Sequence, residues 1–564
     1  MLGVLATGAV TTGWAGWQAL QVRGDLTAAQ AIVTRLQAGI AQSGAAPPAA
    51  ELPALRILVD RAAGRTQGPA WSVAEHLPLL GSNFQAVRQT ALAVQILGDR
   101  ALPEARAALD LIHHERPIHD GQVNLAVLPR LAVHVERAAQ ALDAAQALLA
   151  PPDGFVLGPV RAKVDLARVK VDALDAGLHS AATALRLAPG MLGQRGPRRY
   201  FVAVQNNAEA RATGGLVGAF ALVRTDHGSI TLEHAASDIE LQVATTSFAS
   251  DPAAARTWTD VGSKEMWQDS NLTPHFPDAA RNMAGLWAAQ SGQQVDGVIA
   301  LDPLVMSELL AAAGAVHLPD GTSITAANVV DFVGHDEYVR YHDNDVRKAL
   351  LAGLAKDLFH QVTAVKDPLR TLRAFASASA TGHLYFWSAD SAEQSTLATG
   401  IVGGALPSTD TPYLGVLTQN LGGNKLDYYL RRKVRVTRQA DGVLQVQVTL
   451  RNTAPTGLPG IMSGREDYPK PPVPYGQNKL GFSIYGALST TVRGVQIDGR
   501  PAPMRFDRDH GHQMGTMSLE LPRHQDVVVT VLLTEPAGEL VYRQQPLMAP
   551  DVLAIEVPHR VVGR

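Results

Sequence analysis

The spacing of apolar residues changes twice along this chain, and each change rules out a different set of folds. From residue 25 to about 190 apolar side chains recur every three or four positions, as in "AAQAIVTRLQAGIAQ", "FQAVRQTALAVQILGDRAL" and "LAVHVERAAQALDAAQALL". That period places them on one face of a helix. Pro and Gly break the pattern at "SGAAPPAAELP", "GRTQGPAW" and "APPDGF". A helical stalk or bundle follows, with no chemistry required of it. From about 195 strand-like runs ("YFVAVQ", "GAFALVRT", "SITLEHA", "DGVIALD") alternate with helical ones ("PDAARNMAGLWAAQS", "PLVMSELLAAAG", "NDVRKALLAGLAKDLFHQVTAV"). Strand–helix–strand order predicts a three-layer α/β domain with a mixed sheet. After about 425 the helical pattern stops. "KVRVTRQADGVLQVQVTLRNTAP" is two alternating runs about "ADG", a hairpin signal, and the tail reads as an antiparallel β-sandwich of immunoglobulin-like type. The expected organisation is 1–22, 23–192, 193–425 and 426–564, in line with a 564-residue chain too long for one core.

Residues 1–22 contain no ionisable side chain, and Arg23 is the first. About 20 helical residues at ~1.5 Å each span a hydrocarbon core of ~30 Å. This predicts a single-pass membrane anchor with most of the chain extracytoplasmic. A signal peptide and a buried soluble helix are the alternatives, and the signal peptide lacks its basic start. The absence of cysteine excludes disulfides, thiol catalysis and thiolate metal sites. A formal charge of −3 gives no basic field for nucleic acid. No G-x-S-x-G or Walker A pattern is present. His113, His114 and His119 in "LIHHERPIHD" lack metal-ligand spacing and read as a solvated helix end.

The stretch "QNNAEARATGG", 205–215, is unusually polar for a connector between two apolar strands. Together with "PAWSVAEHLPLLGSN", "WQDSNLTPHFPDAARNMAGLW", "VDGVIALDPLVMSELLAAAGAV", "DVRKALLAGL" and "TQNLGGNKLDYYLRRKV", it resembles the bacterial domain of unknown function 4012 family over roughly residues 25–435. The central part more distantly resembles the LytR-CpsA-Psr fold, through "DGVIALDPLVMSELLAAAGAV", "DVRKALL", "ARATGGLVGAFALV" and "ASDIEL". Members of that family move glycopolymers from polyprenyl-pyrophosphate carriers to the cell wall. The chain departs from their pattern in having one Arg followed by Lys in "DVRKALL", and Thr or Gly where the family's strand carries Asp.

The resemblance implies a site for a pyrophosphate head, with Mg²⁺ as cofactor and a polyprenyl-linked glycan or wall polymer as partner. Such a head requires cations, amides and close backbone N–H groups. Arg211 can fork onto its oxygens, Asn206, Asn207 and Thr213 can donate, and Gly214 and Gly215 allow close approach. Glu209 would pair with Arg211 or hold the ion. The alternative is a self-satisfied polar plug. Arg211 and Arg347 are the expected charge stabilisers, with Asp238 as base or Mg²⁺ ligand; a helix N-cap is the other reading of Asp238. Arg347 lies one turn into a helix, with Lys348 pointing elsewhere. Asn271 and Arg340 are further candidate contacts. Asp296 and Asp302 read as caps, "GGNKLDYYLRRKV" as an interdomain junction and "DRDHGH" as a hairpin tip. Three functions remain open: a glycopolymer transferase, a non-catalytic envelope scaffold that binds wall polymer or protein, or a soluble intracellular role.

Overall fold

The computed structural model describes residues 17–18, 20–32, 34–35, 51–78, 80–115, 117–119, 122–150, 154–241, 251–260, 265–365, 368–465 and 474–563. Most of the expected anchor, 1–16 and 19, lies outside them. Among the described residues no helix is long and apolar enough to cross a membrane. The chain is mixed helix and strand and divides into two compact units: 1–119 with 123–189, and 120–122 with 190–564.

Small side chains build the first unit. Helices Gly81–Ile96, Leu128–Leu148 and Gly158–Met191 meet through Ala93, Ala141, Leu142, Ala145 and Val171. Glu51–Arg65 packs Ala62 with Ala91 of Gly81–Ile96, and Leu102–Glu115 packs Ala108 with Leu131 of Leu128–Leu148. Alanine at a contact lets helix axes approach closely, so a modest apolar content still excludes water. "PAWSVAEHLPLLGSN" is a structural corner. Trp71 is fully buried, edge-on to Phe84, and its indole N–H donates to the Phe84 carbonyl. Asn83 donates to the Phe155 carbonyl and accepts from the Leu157 amide. None of His113, His114 and His119 belongs to a three-residue metal-ligand cluster among the described residues.

In the second unit strands β1 (Arg198–Arg211), β2 (Gly214–Asp226), β3 (Ser229–Ser237), β4 (Gly297–Leu301) and β5 (Tyr385–Ser388) lie in the order β3-β2-β1-β4-β5. Only the β1–β4 pair is parallel, running from Tyr200 opposite Gly297 to Val204 opposite Leu301. The two-residue alternation of side chains gives each face its own core. Phe201, Ala203 and Phe220 pack on helix α1 (Phe276–Ser291) through Phe276, Met283 and Leu286. Val204, Ile299 and Leu301 turn to helices α2 (Pro303–Ala313), α3 (Asn344–Thr363) and α4 (Pro368–Ala380).

The "QNNAEARATGG" segment is not a loop. β1 runs on to Arg211 and β2 starts at Gly214, so only Ala212 and Thr213 turn. The register slips between Asn206 and Ala210, a bulge that accommodates the extra residues. The polar strand end survives burial because C-terminal residues cover it and supply partners. Asp427 accepts from the Ala210 amide, and Gln545 donates to the Arg211 carbonyl.

The C-terminal part forms two six-stranded sheets. Val416, Phe482 and Ile484 of one share a core with Val434, Val446 and Val531 of the other. The "ADG" hairpin is present as Leu430–Arg438 against Leu444–Asn452. Strand Tyr413–Asn420, ahead of the 425/426 border expected from sequence, pairs with Asn478–Tyr485 of these sheets. Gly190–Arg564 belongs to the second compact unit. "DRDHGH" is a hairpin tip, but not a solvated one. His510 donates to the Asp278 carboxylate at 2.7 Å and stacks on His275.

Candidate functional site

The end of β1 carries Gln205, Asn206, Asn207, Glu209 and Arg211, all buried. Each buried polar group needs a partner, and most find one within the protein. Asn206 donates to the Val333 carbonyl and the Tyr338 hydroxyl. Asn207 donates to the Asp302 carboxylate and the Pro546 carbonyl. Arg211 donates to the carbonyls of Gln268, Ala210 and Asn420 and reaches Glu209 at 3.4 Å. Glu209 also holds the Lys425 ammonium. Burial pushes the Glu209 carboxyl up, but Lys425 and Arg211 overcome it and hold the group below its ordinary range. Asn271 donates to the Gly215 carbonyl, leaving its own oxygen without a partner, as is the Thr213 hydroxyl.

Gly215 shows how tight this seam is. A Cβ there would lie 1.9 Å from the Asn206 carbonyl oxygen, a backbone atom that cannot swing aside. Gly215→Ala is therefore expected to destabilise the protein by at least about 1–3 kcal/mol, seen as a lowered thermal midpoint. An unchanged midpoint would mean the strand end relaxes freely.

Beside this seam lies a cleft of ≈ 90 Å³. Its apolar wall is Val204, Leu216, Met306, Val333, Leu351 and Ile461, and its polar wall is Gln205, Asn206, Glu337, Tyr338, Arg347, Lys348 and Lys425. The first turn of α3 supplies Arg347 and Lys348. Asp343 caps that helix by accepting from the Asp345 and Val346 amides. Glu337 and Tyr338 come from the short helix Glu337–Arg340, after a wide turn over Phe332–Asp336.

The three cations differ in their company. Lys348 is bonded to Asp238 and Lys425 to Glu209. Arg347 is 2% exposed, yet its guanidinium donates to the Tyr341 carbonyl (3.1 Å) and the Asn344 amide oxygen (2.7 Å), both neutral, and lies 4.9 Å from the Tyr338 ring centre. Glu337 is fully buried, and neither carboxyl oxygen has a hydrogen bond of ordinary length. Burial raises its pKa to about 8, against the pull of Tyr338, Arg347, Lys348 and Lys425. Burial also drives the Tyr338 hydroxyl well above its ordinary value.

The predicted residues thus fall into three places. Asn206 and Arg347 line the cleft, and Asp238 and Glu209 stand one ion pair behind it. Asn207, Arg211, Thr213, Gly214, Gly215 and Asn271 form the buried seam and do not line the cleft. Arg340 is half-exposed beside Asp336 and does not line the cleft. Asp238 opens the turn Asp238–Glu240 but makes no side-chain cap. Asp302 does cap α2, accepting from the Leu304 and Val305 amides.

Sequence reasoning put Lys348 on the wrong side. Neighbours in a helix differ by ~100°, and α3 presents its first turn to the cleft, so both long side chains reach it. Lys425 is carried in by the "GGNKLDYYLRRKV" junction, where Asp427 and Tyr428 also tie the chain to Ala210 and Asp331. Glu337 had no sequence signal, because a single Glu in a helical stretch is ordinarily solvated.

Residues 195–338, from the approach to β1 through Tyr338, match the model of a family described as protein of unknown function (DUF4012). No curated protein and no solved structure matches the chain. The shared stretch carries the polar strand end, Glu337 and Tyr338, while Arg347, Lys348 and Lys425 lie beyond it.

Proposed function

We propose that the cleft binds the phosphate end of a lipid carrier. In this reading the chain is a membrane-anchored cell-envelope protein of LytR-CpsA-Psr-like type that transfers a glycopolymer from polyprenyl pyrophosphate to a wall acceptor. The observation that carries it is Arg347, a buried cation whose own partners are all neutral. A desolvated charge without a counter-charge is costly unless a ligand supplies one. Lys348 and Lys425 flank it, and the apolar wall suits the first units of a prenyl chain. The helix-covered mixed sheet and the paired C-terminal sheets fit a three-layer α/β domain followed by an immunoglobulin-like sandwich.

In such a transfer Arg347, Lys348 and Lys425 would stabilise charge developing on the leaving phosphate. The described residues of the cleft do not build a Mg²⁺ site. The Asp238 carboxylate is held by an ammonium, and no three-ligand cluster among the described residues lines the cleft.

The test is a titration of the full chain with polyprenyl pyrophosphate in detergent, with and without Mg²⁺. Arg347→Ala is expected to weaken binding ~10–100-fold, the equivalent of one charge-assisted hydrogen bond, with the circular dichroism unchanged. No affinity in the wild type would end this reading. A non-catalytic scaffold remains the second reading. It is favoured by Arg211, whose donors are spent on backbone carbonyls and Glu209 rather than turned toward the cleft. Binding without any transfer of glycan would select it.

A further inference from the structure

Among the described residues Glu337 is the one carboxyl group that lines the cleft, and its surroundings are unusual. Three cations lie around it, but each is engaged elsewhere. Lys348 of α3 holds Asp238, Lys425 of the junction holds Glu209, and Arg347 of α3 holds Tyr341 and Asn344. Its helix neighbours Asp336 and Arg340 pair with each other, and Tyr338 accepts from Asn206. Both Glu337 oxygens are thus buried without a hydrogen bond of ordinary length, although the neighbouring Tyr338 hydroxyl favours the ionised form. An ionised carboxylate left so would cost far more than a neutral acid. A neutral acid also carries an O–H that needs an acceptor, and Glu337 lines the cleft.

We propose that Glu337 reads the ligand as a neutral carboxylic acid, donating its O–H to an oxyanion seated beside Arg347. This rests on the phosphate-binding reading above and adds to it. Glu337 becomes a proton-dependent specificity residue, and the ligand's head must accept a hydrogen bond. While Glu337 holds its proton it contributes a donor without adding negative charge. When it ionises it presents a carboxylate to an anion and repels it. The raised pKa, about 8, places that change within reach of ordinary buffers.

The experiment compares dissociation constants of wild type, Glu337→Gln and Glu337→Met for inorganic pyrophosphate and for farnesyl pyrophosphate, at pH 6.5 and 9.5. The amide of Gln donates at both values, so the ratio of wild-type to Gln constants is expected near one at the lower pH. At the higher pH it should rise ~10-fold or more, about one pKa unit of differential interaction. Titration of the ligand and of Lys348 and Lys425 is common to both proteins and cancels in the ratio. Glu337→Met, apolar and without a donor, should bind more weakly than Glu337→Gln at pH 6.5. A ratio that does not move with pH, or Met binding as tightly as Gln, overturns the proposal. Binding of inorganic but not farnesyl pyrophosphate, with the ratio moving as expected, sustains Glu337 and removes the lipid reading. Binding of neither by the wild type removes both.

Discussion

Arg432→Ala is expected to destabilise the protein by about 3–5 kcal/mol, the cost of leaving a buried charge without its partner. The guanidinium and the Asp551 carboxylate are both essentially inaccessible, at 1% and 0% of their side-chain surface. Arg432 meets Asp551 through two bonds, at 2.7 and 2.8 Å, and donates with its remaining group to Gln545 and Thr418. Tyr542 donates to the same Asp551. Truncating Arg432 strands the carboxylate, and the oxygens of Gln545 and Thr418 lose a donor. Gln545 also donates to the Arg211 carbonyl, so the loss should spread to the polar seam beside the cleft. Replacing both partners by apolar residues (Arg432→Met with Asp551→Leu) should cost less than the single change, because no charge is then left buried. Urea unfolding of the full chain, followed by the fluorescence of Trp258, Trp267, Trp287 and Trp387, measures both. A loss below about 1 kcal/mol for Arg432→Ala would place the pair among solvated surface bridges instead.

Glu337→Gln should make the folded state more resistant to alkaline pH. In the unfolded chain this carboxyl ionises near 4.5, and in the folded chain near 8. Between those values the folded form retains a proton that the unfolded form has released. The resulting stability is complete below 4.5 and drains away as pH rises through 8, at up to about 1.4 kcal/mol per pH unit. Asp427, raised to about 6, and Glu535, raised to about 7, act in the same direction and for the same leading reason, burial. Wild type should therefore unfold at lower urea at pH 9 than at pH 5 as far as these groups decide it. The Gln variant, which has no proton to lose, should narrow that gap by several kcal/mol. Equal gaps in the two proteins would show that Glu337 is hydrated in the folded state. This readout is independent of ligand, so it separates the state of the carboxyl from its role in binding.

The sequence alone was sufficient wherever a local rule governs the chain. Helices Glu51–Arg65, Gly81–Ile96, Leu128–Leu148 and Gly158–Met191 form because their apolar side chains, mostly alanine, leucine and valine, recur at helical spacing. The hairpin about "ADG" forms because two alternating runs flank a residue, Gly442, that takes a positive φ of 84°. Asp302 caps α2 because it sits just ahead of Pro303. The family match over 195–338 is likewise a property of the linear chain.

Only the tertiary structure decided what those elements bring together. "QNNAEARATGG" reads as a loop because its composition is polar, yet it is strand, since Asp427 and Gln545, more than 200 residues on, satisfy its backbone. Lys348 faces the cleft, and Lys425 enters from the far side of a strand that belongs to another sheet. Glu337 is set apart by what fails to touch it. Periodicity records which face of an element is apolar, a matter of neighbours three or four positions away. The company of Glu209 and of Arg432 depends on residues more than 100 positions distant, and no local pattern encodes it.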